Sequence, residues 1–205
     1  MGWLMLREIV PGVLTWSWFS KAHGYHFNGY LLRSAEGNLC IDPVPPGEAE
    51  LAEIVREGVA RILITNRNHS RAANAVRQAT GARTGIHPAD APHAAAQGLV
   101  IDDDLKVGSD IGALRVLGVP GKSPGEVAFY WPARHLLFVG DAVIGDPPGG
   151  LRLLPEAKLD DPKLLRRSLR TLLELDVDAL LVGDGVPLLS GAGAKLAALV
   201  AGFAD

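Results

Sequence analysis

An α/β fold with more than one sheet-forming region is predicted by three features of this 205-residue chain. Apolar runs of strand period occur in both halves, runs of helical period follow them, and no linker separates the halves. Strands followed by α/β units, twice over, suit a two-sheet sandwich flanked by helices. Periodicity alone also permits one ordinary α/β sheet. With 48% hydrophobic and 21% charged residues the chain has enough apolar surface for a sizeable core. A single domain over residues 1–205 is therefore expected.

Residues 16–19, 27–33 and 39–41 read as strands, each bounded by Gly, Ser or Asp turn signals. After a turn at 43–47, residues 48–57 have helical character, and the apolar run 61–65 leads into a polar turn. Residues 69–80 read as a second helix, with Ala73, Val76 and Ala79 at helical spacing and Gly81 as its stop. Short strands return at 114–119, 127–131 and 136–139, separated by Gly and Pro. Asp161 before Pro162 is an N-cap with proline at the first helical position, and Leu164, Leu165, Leu169, Leu172 and Leu173 supply that helix with an apolar face. A strand at 179–182 and a helix at 192–203 close the chain.

The net charge of −3 and the lack of Lys/Arg runs give no footprint for nucleic acid or for an anionic membrane surface. The single cysteine, Cys40, lies between Leu39 and Ile41, where a buried inert thiol is expected. The first residues lack a basic start, an apolar run and a cleavage site, and the apolar stretch 196–203 is too short to cross a bilayer. A soluble, cytoplasmic protein is expected.

The turn after the strand at 61–65 reads Asn66-Arg67-Asn68-His69-Ser70-Arg71. Later come Val119-Pro-Gly-Lys-Ser-Pro-Gly125, Val139-Gly-Asp141 and Val182-Gly-Asp-Gly185. In that order they resemble the landmarks of metallo-β-lactamase-fold hydrolases: His-x-His-x-Asp-His after an apolar strand ending in Thr, then Pro-Gly-His-Thr-Pro-Gly, Gly-Asp and Gly-His-Gly. Asn28 ahead of Tyr30-Leu-Leu32, and Ile41-Asp42 after the next strand, resemble the family's opening hairpin. The resemblance spans nearly the whole chain and implies a four-layer αββα sandwich.

Carried over by position, the family's metal-ligand places fall on Asn66, Asn68, Ser70, Arg71, Lys122, Asp141 and Asp184, and only Asp141 keeps its expected identity. Zinc takes imidazole, thiolate or carboxylate donors, and neutral amides replace them poorly. No zinc cofactor is expected. Cations at Arg71 and Lys122 can balance Asp141 and Asp184 where the family uses metal ions.

His69 lies between ligand places, so its first reading is structural or at the start of a helix. Asn66 and Asn68 fit turn or cap roles. Asp141 reads equally as a former ligand and as an acceptor for backbone or Lys122. Ser70 and Ser123 have no established base, although His69, Asp141 and Lys122 are the candidates. The segment Gly145-Asp-Pro-Pro-Gly-Gly150 is not a phosphate loop and reads as a loop beside the site.

The leading expectation is a non-zinc pseudoenzyme or binding protein. Its catalytic-type groups are Asp141, Lys122, Asp184 and His69, and its small, anionic ligand would meet Asn66, Asn68, Ser70, Arg71 and Lys122. The alternative is a divergent hydrolase of ester, thioester or lactone bonds, working without metal or with an atypical hard divalent ion on Asp141, Asp184 and amide oxygens. A third is a structural or homo-oligomeric role using Trp3, Leu4 and Leu6 as exposed apolar contacts.

Overall fold

In the first half of the chain the strand residues pair in sequence order. β1 (Arg7–Val10) turns back at Gly12 into β2 (Val13–Ser20), which pairs residue for residue with β3 (Tyr25–Leu32), and β4 (Leu39–Ile41) completes an antiparallel run. Gly29 is required on β3, because a Cβ there would lie 2.7 Å from the Trp16 ring. That ring crosses the strand to donate its indole N–H to the Val44 carbonyl at 2.8 Å. The next strands come back parallel because helices separate them. α1 (Glu48–Glu57) leads to β5 (Arg61–Ile64), α2 (Ala73–Thr80) to β6 (Arg83–Ile86), and α3 (Ala91–Ala96) to β7 (Asp103–Asp104). The sheet order is β1-β2-β3-β4-β5-β6-β7. Leu31, Ile62, Ile64 and Ile86 from the sheet, with Ile54 of α1 and Val76 of α2, form its core.

This computed structural model describes residues 6–203 and divides into two compact units, Met1–Leu105 and Lys106–Asp205. The second carries β8 (Asp110–Ile111), β9 (Leu114–Gly118), β10 (Val127–Trp131), β11 (Leu136–Phe138), α4 (Pro162–Thr171), β12 (Ala179–Leu181) and α5 (Ala192–Ala201). Its sheet has the order β12-β11-β10-β9-β8, antiparallel except where α4 bridges β11 to a parallel β12. Leu165 and Leu169 of α4 and Leu196 of α5 pack with Leu137 and Leu180 of the sheet. Replacing either α4 leucine by alanine should cost about 2–5 kcal/mol. The chain is thus α/β with two sheets. No helix of the described residues is long and apolar enough to cross a membrane.

Several boundaries differ from the sequence reading. The second helix begins at Ala73 rather than His69, because the residues ahead of it form turns: His69 N–H bonds the Asn66 carbonyl and Ala72 N–H bonds the Pro43 carbonyl. Asn66 and Asn68 do not cap it, since its N-cap is Ala72 with no side-chain bond. Leu173 is exposed in a 3-10 turn beyond α4, which removes it from the apolar face. Leu6 is buried rather than an exposed contact, while Trp3 and Leu4 lie outside the described residues. Cys40 is a free, fully buried thiol, and burial pushes its ionisation up.

Candidate functional site

Each unit builds its share of the polar residues at the carboxyl ends of parallel strands, the edge where open α/β sheets present ligand-binding groups. In the first unit β4 and β5 run parallel with Ile41 opposite Leu63. Asp42 follows β4 with φ 47, a left-handed conformation uncommon for an aspartate. Its N–H bonds the Leu63 carbonyl, and its carboxylate accepts from the Thr65 N–H at 2.8 Å, the Thr65 hydroxyl at 2.5 Å and His69 Nδ1 at 2.7 Å. Asp42, Thr65 and His69 are all buried. A carboxylate offers only acceptors, so Nδ1 of His69 carries a proton and the ring orientation is fixed by that bond.

The turn that follows is organised by its own side chains. Asn66, fully buried, accepts the Asn68 N–H on its amide oxygen at 2.9 Å, the local role expected of an asparagine in this turn. The Arg67 N–H bonds Asp90. The Arg71 guanidinium lies 4.1 Å from the centre of the Phe27 ring, a cation–π arrangement that fixes its plane.

In the second unit β11 and β12 are parallel with Phe138 opposite Leu181, and the chain stays paired beyond both strands. The Gly183 N–H bonds the Gly140 carbonyl, the Gly145 N–H bonds the Asp184 carbonyl, and the Val186 N–H bonds the Gly145 carbonyl. A Cβ on Gly145 would meet the Val186 carbonyl oxygen at 2.0 Å, so only glycine lets the two loops approach this closely. Asp141 and Asp184 sit at equivalent positions on these loops, both buried, with carboxylate oxygens within 4.8 Å of each other. The Asp141 N–H donates to buried Glu126 at 3.0 Å.

Lys122 reaches the same place from the turn before β10. Its ammonium is 3.3 Å from Asp141 Oδ2, and both side chains are more than 90% buried, at 7% and 6% exposure. The turn is pinned on α4: the Asp161 N–H bonds the Gly121 carbonyl, the Ser168 hydroxyl bonds the Pro120 carbonyl, and Gly121 (φ 140) lies where a Cβ would be 2.3 Å from the Leu165 backbone. The cation therefore arrives on a rigid support.

Within the second unit the structure joins Lys122 to Asp141 and Asp141 to Asp184, and within the first it joins His69 to Asp42. Asp42, Thr65 and Glu126 take part in these networks although the sequence reading did not place them among the site residues. Ile41-Asp42 carried a signal through the hairpin resemblance, but neither Thr65 nor Glu126 did. His23 and His26 belong to the tip of the β2–β3 hairpin, where they meet Ser20 and the Phe19 ring. His135 occupies a left-handed position after β10 and contacts exposed Asp176.

A family model described as metallo-beta-lactamase superfamily matches residues 6–203. The chain belongs to this superfamily. Among curated proteins, the hydroxyacylglutathione hydrolase of Cereibacter sphaeroides (strain ATCC 17025) is 30% identical over 154 residues, 72% of this chain and 57% of the relative. The protein of that name from Fuscovulum blasticum is 29% identical over 58% of this chain and 48% of its own length. The chain spans about half the length of the curated relatives it matches. Among solved structures, TTHA1623 in a di-iron-bound form aligns with a TM-score of 0.64 at 31% identity, covering 83% of this chain and 93% of that one. The metallo-beta-lactamase of Pontibacter korlensis aligns with a TM-score of 0.78 at 18% identity over 97% and 99%, a likeness of fold.

Members of this superfamily usually hold metal. In the first unit the positions carried over from the family's pattern hold two amides, a hydroxyl and a guanidinium, with the buried His69 imidazole among them, and one amide oxygen is engaged in its own turn. In the second, the retained aspartate is paired with an ammonium.

Proposed function

We propose that this chain is a metallo-β-lactamase-fold protein working without the family's zinc, and that it binds a small anionic ligand through its cations. The groups assigned to it are Lys122 with Asp141 and Asp184 on the second unit; Arg71, Asn66, Asn68 and Ser70 are the first unit's own candidates for an anion. His69 and Asp42 keep the turn carrying Arg71 in shape. The observation behind this reading is the buried Lys122–Asp141 pair at two former ligand places. A buried ammonium with three donors can serve a carboxylate of its own protein and an anion of a ligand together.

A second reading has one specific support, the 30% identity to a hydroxyacylglutathione hydrolase. On that reading the chain hydrolyses an ester, thioester or lactone bond.

One experiment separates the two. Small carboxylates and phosphates are screened by thermal shift on the purified chain, while a panel of esters, lactones and hydroxyacylglutathione thioesters is followed for turnover. The binding reading expects an anion that raises the melting temperature without being consumed, with the shift lost in Lys122→Ala. Turnover abolished by Asp141→Ala would replace it with the hydrolase.

A further inference from the structure

We infer that Lys122 is a resident cation that closes Asp141 to divalent metal, and that removing this one side chain, with no histidine restored, opens Asp141 to it. The inference rests on the reading that the chain works without the family's metal, and it goes further by naming a single residue as the cause. Asp141 and Asp184 are both buried, and their carboxylate oxygens lie within 4.8 Å of each other. Two like charges this close, taken out of water, need a positive charge beside them or one must be protonated. The ammonium of Lys122, 3.3 Å from Asp141, supplies such a charge.

The lysine does not arrive there by chance of rotamer. Its turn is fastened to α4 through Gly121, Pro120 and Asp161, so the backbone at residue 122 is fixed before the side chain extends. Metal entry would require this ammonium to leave its partner, which the buried carboxylate beside it opposes. The lost histidines of the first unit are therefore not the only barrier: histidines restored there would leave the second unit's cation in place.

The test uses the full chain, purified without an affinity tag, incubated with excess zinc or manganese, and freed of unbound ion. Metal content is read by elemental analysis and stability by thermal melting, for the natural protein and for Lys122→Met and Lys122→Arg. The natural protein and Lys122→Arg should carry only traces of metal and melt at the same temperature with or without ions. Lys122→Met should melt lower than the natural protein in the absence of metal. It should then take up stoichiometric zinc or manganese, recover melting temperature on doing so, and lose both gains when Asp141→Asn is added. If Lys122→Met does not fold, Lys122→Gln is read in the same way. A folded Lys122→Met or Lys122→Gln that stays metal-free would overturn the resident-cation inference alone and leave the zinc-independent reading standing. Stoichiometric metal in the natural protein would overturn both, and His69→Ala, Asp141→Ala and Asp184→Ala would then identify its donors.

Discussion

Asp42 governs the turn after β5 although it lies 23 residues from Thr65 and 27 from His69 along the chain. Its carboxylate accepts three hydrogen bonds while buried, and its left-handed backbone aims it at them. Asp42→Ala should therefore destabilise by about 3 kcal/mol, since donors on Thr65 and His69 lose their acceptor in a dry interior. Urea unfolding should report this as a lower midpoint at an unchanged slope. His69→Ala should do comparable damage by removing a partner of the buried carboxylate, and a milder effect than Asp42→Ala would show that Thr65 carries more of the network. The spacing of Asn66, Asn68, Ser70, Arg71, Lys122, Asp141 and Asp184 was legible as a set of places in a known pattern. Their partners were not. An Asp42–His69 bond depends on two strands lying side by side, and nothing local to either residue reports that neighbour.

At the scale of elements, α4 acts as the anvil on which the Lys122 turn is shaped. Gly121→Ala should cost about 3 kcal/mol, because a methyl group would have to displace the Leu165 backbone and the residue would sit at φ 140. Denaturant midpoints for Gly121→Ala against the natural protein check this. Asp161→Ala should cost less, about 1 kcal/mol, since it removes one side-chain bond to the Leu164 N–H at the start of the helix. The proline after this N-cap and the leucines spaced along one face made α4 readable in advance. α1, bounded by its Gly47 and Gly58 neighbours, was readable to the residue. β7 and β8 were not, since two residues each hold no period to detect, and their existence depends on the strands they join. The start of α2 was misplaced for a related reason. His69 to Ala72 have helical composition, but turn and long-range bonds claim their backbone and the His69 ring first.

For the molecule as a whole, the two sheets and the family pattern were present in the sequence, because landmarks spread from Asn28 to Gly185 constrain the chain order of strands and helices. Surface charge adds a dependence on acidity that no motif announces. The guanidinium of Arg33 bonds Glu57 at 2.7 and 2.9 Å and holds its carboxyl below the ordinary glutamate range, and Arg83 does the same for Asp103. A carboxyl with a lowered folded value contributes stability that is full above its unfolded value and disappears as pH falls through the folded one. Both pairs are partly exposed, so solvent screens each of them, and the Arg33–Glu57 pair should be worth about 0.5 kcal/mol near neutrality. Glu57→Gln should lower stability slightly at pH 7 and have no effect below the carboxylate range, which a series of unfolding curves from neutral to acid pH would reveal.

The contact between Gly145 and Gly185 has a further consequence for motion and for inheritance. Two loops stitched by reciprocal backbone bonds at a distance only glycine allows cannot open one at a time. Amide protons of Gly145 and Val186 should exchange with solvent at a common rate, and a residue inserted into one loop would shift the register of both. The two aspartates they carry are in this sense held at one separation by the backbone itself.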